Sequence, residues 1–89
     1  MRARTEGVTW RKVDNQIVIL DLESSCYLRT NAVGALLWER LQTECSTGDL
    51  VSLLVEKFDI DPDVAESDVR EFVETVAANE LLSGPLADN

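Results

Sequence analysis

Eighty-nine residues make one small domain, with no room for a large internal cavity. Apolar residues are 45% of the chain, enough for a folded globule, and no apolar run approaches the ~18 residues of a membrane span. The net charge is −9, histidine is absent, and the two cysteines, Cys26 and Cys45, are far apart in sequence. Zinc, haem and iron–sulfur sites therefore lack their usual ligand sets.

The charge is unevenly placed. Residues 1–45 carry six Lys/Arg and six Asp/Glu, so the second half holds the whole imbalance, with only Lys57 and Arg70 among eleven acids. That half repels a phosphate backbone; it is a solvated acidic surface, or a steering field for a basic partner. Met1 to Glu6 has two arginines and no apolar stretch behind them, so no secretory signal is expected. The default compartment is the cytoplasm, where Cys26 and Cys45 are expected to stay free. Residues 1–6 read as a flexible N-terminus.

Val8-Thr9-Trp10-Arg11-Lys12-Val13 is rich in strand formers and is followed by the turn pair Asp14-Asn15. Gln16 to Asp21 is a second strand, apolar on both faces and therefore central. Leu22-Glu23-Ser24-Ser25 is the next turn, and Cys26-Tyr27-Leu28-Arg29 the third strand of an antiparallel meander. The first and third strands are then edges.

The third strand runs almost without a loop into an apolar helix, from Ala32 to Gln42 or Thr43. Thr30 and Asn31 are both suited to cap it. Gly34 sits inside that helix at some propensity cost, which close packing against a neighbour would explain. A second helix is expected over Asp49–Lys57, with Ser46 or Thr47 as cap. Asp61-Pro62 opens a third, which the pattern carries to about Leu82. The acids around Asp59–Asp63 lack the ligand spacing of a calcium loop and read as capping and dipole complements. On the third helix Ala65, Val69, Phe72, Val73 and Val76 form one stripe at 100° steps, flanked on one side by Asp68, Thr75 and Asn79. Residues 84–89 read as a flexible tail. Three strands followed by three helices make an α+β domain of winged helix-turn-helix type.

No nucleophile has a base to activate it, and there is no Gly-rich phosphate loop. An enzyme is not expected; two binding classes remain. A DNA-binding winged helix would read the major groove with the third helix, whose exposed Glu66, Asp68, Glu71, Glu74 and Glu80 face a single Arg70. That surface is wrong for phosphate. A peptide-binding module would instead add an extended peptide to the edge strand Cys26–Arg29, with pockets against a helix giving specificity.

The order Tyr27-Leu28, Asn31, Gly34, Leu37-Trp38, Asp68-Val69, Phe72 and Leu81-Leu82 resembles the PqqD-like domains over residues 7–83. These are the leader-peptide recognition elements of ribosomally made, post-translationally modified peptides. Within that family the chain is most similar to the stand-alone recognition proteins of lasso-peptide pathways. The resemblance implies a non-catalytic adaptor without cofactor or metal. It implies a leader docked as an added strand on Cys26, Tyr27, Leu28 and Arg29 and against Asp68, Val69, Phe72, Val73 and Val76. A separate leader peptidase of cysteine-protease type is the implied partner, with the cyclase as a further one, and neither nucleic acid nor membrane is. Chaperoning of a pyrroloquinoline-quinone or other radical-enzyme precursor is the alternative within the family.

Overall fold

In the computed structural model, which describes residues 1–83, the elements follow the order β1 (Val8–Val13), β2 (Gln16–Asp21), β3 (Cys26–Arg29), α1 (Ala32–Arg40), α2 (Thr47–Phe58) and α3 (Pro62–Ala78). The sheet is an antiparallel meander with β2 in the middle. Asp14 and Ser25 supply the left-handed residues that close the two turns. The α+β architecture read from the sequence is the one observed.

Ile17 and Ile19 on one face of β2 are buried against the helices, together with Leu37, Trp38 and Leu41 of the α1 region, Leu50 and Leu54 of α2, and Val69 and Val76 of α3. Every helix packs on that side. The cross-strand rows Arg11–Val18–Arg29 and Thr9–Leu20–Tyr27 lie on the other face, which no element of the described residues covers.

Local chemistry sets the helix starts. Asn31 caps α1, its Oδ1 accepting the Gly34 N–H at 2.8 Å. Thr30 has a different job: its hydroxyl accepts the Ile17 N–H at 3.1 Å and donates to the Ile17 carbonyl at 3.3 Å. Ser46 and Asp49 form a reciprocal capping box, so α2 begins at Thr47 rather than Asp49. Asp61 caps α3 with Pro62 in the first turn.

The helices end earlier than the sequence pattern suggests where tertiary pairing takes over. α1 stops at Arg40, and α3 at Ala78 rather than near Leu82. Glu80 adopts a left-handed conformation with φ of 57°. This turn carries Leu81 into the core, and Leu82 pairs with Ala3.

The expectation of a flexible segment over residues 1–6 is corrected. Met1 and Ala3 are buried, the Ala3 N–H donates to Leu41 O at 2.7 Å, and the Arg4 N–H donates to Leu81 O at 2.8 Å. The segment is held because backbone groups left free after α1 and α3 need partners, and it supplies them. The expected flexible tail over 84–89 lies outside the described residues. Cys26 and Cys45 are both free; Cys45 is buried, and burial pushes its thiol up.

Arg4 Nη2 meets Asp21 Oδ1 at 2.8 Å and ties this N-terminal segment to the end of β2. Burial pushes the Asp21 carboxyl up, but the Glu23 N–H, the Ser24 hydroxyl and the Arg4 guanidinium outweigh it and hold the group below the ordinary carboxylate range. A carboxylate depressed in the folded state stabilises at neutral pH, and that contribution fades as pH falls from about 4 through the folded value. Melting curves recorded across this range should show the wild type losing more stability on acidification than Asp21→Asn. Parallel losses would show that Asp21 has no such part.

Candidate functional site

β3 is the last strand of the described residues, and among them its outer edge has no partner strand. The Thr30 N–H donates to Ile17 O at 2.9 Å, which makes 17 and 30 a hydrogen-bonded pair at the end of the ladder. Antiparallel ladders alternate, so Leu28 and Cys26 also turn their backbone groups toward β2. Tyr27 and Arg29 therefore present N–H and C=O to the open edge.

A groove runs between this edge and α3, with a depression on either side of Leu28. One, of about 280 Å³, is walled by Leu28 and Arg29 of β3, Asn31 and Gly34 at the start of α1, and Asp68, Glu71, Phe72 and Thr75 of α3. The other, of about 210 Å³, lies between Cys26 and Leu28 and the end of α3, where Asn79, Glu80 and Leu81 close it and Asp21 forms part of the wall. Gly34 fits tightly against the joint between β3 and α1 and faces Phe72 of α3. A Cβ there would lie 3.0 Å from Thr30 Cβ and 3.6 Å from Phe72 Cδ1, so any side chain would crowd the first depression.

The residues expected from the sequence separate into groups. Leu28, Arg29, Asp68 and Phe72 come together in the first depression, and Cys26 lines the second with Leu28. Tyr27 offers its backbone to the edge, but its side chain is 72% exposed on the uncovered sheet face. Val69 and Val73 line a third depression, of about 480 Å³, between α2 and α3. Val76 is fully buried in the core. The structure does not bring these three valines into the groove: of the apolar stripe Phe72 reaches it, and α3 otherwise turns its flank of Asp68, Glu71 and Thr75 toward β3.

The residues missed were Glu71 and Thr75 on α3, Asn31, Val33 and Gly34 at the start of α1, and Asp21, Asn79 and Glu80 around the second depression. Helical spacing carried part of the signal, because Asp68, Thr75 and Asn79 share one flank at three- and four-residue steps. Among the described residues no group of three or more His, Cys, Asp and Glu could hold a metal ion. The groove's resources are backbone hydrogen bonds, apolar surface at Leu28 and Phe72, and a carboxylate rim at Asp68 and Glu71. Together they suit noncovalent capture of an extended chain.

The family model for coenzyme PQQ synthesis protein D, PqqD, matches residues 16–82. The chain belongs to the PqqD family. Two solved structures share the fold of this PqqD-family chain. TbiB1 in complex with the TbiA(beta) leader peptide superposes with a TM-score of 0.85 at 26% identity, covering 98% of this chain and 100% of that one. A lasso peptide synthetase B1 complexed with its leader peptide gives a TM-score of 0.77 at 26% identity over 90% of this chain and 93% of that one. The search of curated proteins finds no match.

The polarity of the edge is open to measurement. Amide hydrogen exchange followed by NMR should be fast at Tyr27 and Arg29 and slower at Leu28 and Thr30. The opposite order would reverse the assignment of outward-facing groups.

Proposed function

We propose that this PqqD-family chain is a non-catalytic adaptor that binds the leader of a ribosomally made precursor peptide of the lasso class. The leader adds as an antiparallel strand to the β3 edge and fills the two depressions against α3. The adaptor then delivers it to a separate leader peptidase of cysteine-protease type, with the cyclase acting afterwards, in the cytoplasm. The observation that carries this reading is an open edge at Tyr27 and Arg29 lying directly over a groove. Two relatives of the same fold, in complex with leader peptides, support it. No helix among the described residues is long and apolar enough to cross a membrane.

The energetics divide between backbone and pockets. A short edge offers few hydrogen bonds, each worth about 0.5–1.5 kcal/mol net. Ordering a peptide that is disordered when free costs part of that gain. Leu28 and Phe72 must therefore contribute burial, and the alternation of the added strand decides which leader side chains meet them. Asp68 and Glu71 at the rim favour a polar or basic neighbour beside the apolar anchors. The lasso class is preferred over a radical-enzyme precursor because the two leader complexes include a lasso peptide synthetase.

Titration of the full chain with a fluorescently labelled lasso leader should give saturable binding, and no binding by any lasso leader would end this reading. Tyr27→Pro removes one outward N–H while sparing the β2–β3 ladder and should weaken binding roughly tenfold. Phe72→Ala should weaken it by a similar factor, about tenfold. Val73→Ala should leave affinity within about twofold, its cost falling on stability at roughly 1–2 kcal/mol. Tighter binding of a pyrroloquinoline-quinone precursor than of any lasso leader would move the chain to the alternative pathway.

A further inference from the structure

The β3 edge offers the same backbone groups to any extended chain, so hydrogen bonding alone leaves the register of an added strand open. Side chains must fix it. When a strand adds antiparallel to β3, one of its residues exchanges hydrogen bonds with Arg29, and the residue two places later does so with Tyr27. Directly opposed side chains stand on the same face, with Cβ atoms about 4.5–5.5 Å apart. These two side chains therefore extend the rows Arg11–Val18–Arg29 and Thr9–Leu20–Tyr27 on the uncovered face. The residue between them lies opposite Leu28 and turns its side chain into the groove.

The two sides of this edge differ in charge. On the uncovered face Arg29 is exposed and has no ion-pair partner among the described residues, whereas Arg4, Lys12, Arg40 and Arg70 each have one. Its row neighbours are Val18 and Arg11, so no carboxylate of the sheet stands across from it. On the groove side Asp68, half-buried, and Glu71 line the first depression, and among the described residues neither has a cationic partner. One short strand edge thus has a free cation on one side and an uncompensated acidic wall on the other. Tyr27, 72% exposed, adds an aromatic surface on the cationic side.

We infer that the docking segment of the leader alternates in charge, and that this alternation locks its register. A carboxylate stands opposite Arg29, and an apolar or aromatic residue opposite Tyr27 two places later. A lysine or arginine adjacent to the carboxylate faces the groove and meets Asp68 and Glu71. The inference rests on the leader-binding reading above. An exposed ion pair contributes little, so charge adds modestly to total affinity and acts instead on the choice between registers. A slip of one residue sends the acid to the acidic wall and the base to Arg29, replacing two attractions by two repulsions. A slip of two leaves Arg29 without its partner and sets the acid against the Tyr27 ring. The backbone hydrogen bonds of the edge are blind to these differences.

The test uses the full-length chain and a lasso leader that binds it saturably, remade as fluorescent peptides with Glu or Lys placed in turn at each position of the docking segment. Anisotropy titrations at low salt should find one position that prefers Glu over Lys by roughly three- to tenfold, and an adjacent one with the opposite preference. Arg29→Glu should reverse the first preference and leave the second; Arg29→Gln should erase the first without reversing it. Asp68→Asn combined with Glu71→Gln should erase only the second. Raising the salt to about 1 M, where the screening length is about 3 Å, should flatten both. Circular dichroism confirms that each variant is folded. The absence of a Glu-preferring position, a preference that both Arg29 variants retain, or Glu- and Lys-preferring positions an even number of residues apart would overturn the charge register while leader binding stands. If no lasso leader binds the wild type, the leader-binding reading falls, and the charge register with it.

Discussion

The joint between β3 and α1 governs the rest of the molecule. Thr30 ends the strand by bonding both backbone groups of Ile17, and the next residue, Asn31, opens the helix with its own side chain. No loop intervenes, so α1 has little freedom in where it leaves the sheet. Its direction puts Leu37 and Trp38 beneath Ile17 and Ile19 and confines the helices to one side. Because the chain turns into a helix rather than a fourth strand, the β3 edge is left open. The same geometry sets Gly34 close to Phe72, which brings α3 alongside that edge.

Most of the fold was legible because its signals are local. The Asp14-Asn15 turn, the cap at Asp61-Pro62 and the apolar run of β2 are each written in a few neighbouring residues. The N-terminal segment was not legible, since its partners, Leu41, Leu81 and Leu82, are remote in sequence and nothing between Met1 and Glu6 announces them. The ends of α1 and α3 were misjudged for the same reason: the apolar pattern continues, but the backbone leaves the helix to make these distant contacts. The site was half legible. Edge-strand logic found Cys26–Arg29, and helical spacing isolated the flank of Asp68 and Thr75. Periodicity cannot say whether the stripe or its flank meets β3, because the rotation of α3 is set by its packing on α2. Val69 and Val73 were therefore expected in the groove and stand instead toward α2.

Electrostatically the molecule has two characters. Residues 46–89 carry the whole excess of acid, which gives the groove its carboxylate rim and repels a phosphate backbone. The sheet half is balanced in number, but not in arrangement: its acids pair with Arg4, Lys12 or the N-terminal amine or sit in turns, while Arg11 and Arg29 have no ion-pair partner among the described residues.

The division of α3 into a core stripe and a groove-facing flank has a further consequence. Val69, Val73 and Val76 hold the helix in place, whereas Asp68, Glu71 and Thr75 shape the groove without entering the core. The two sets do not overlap, so substitutions on the flank can redraw which chain the groove accepts while the scaffold keeps its stability. A fold partitioned in this way is readily retuned by evolution: its selectivity can drift rapidly along one helical face while its architecture stays fixed by another.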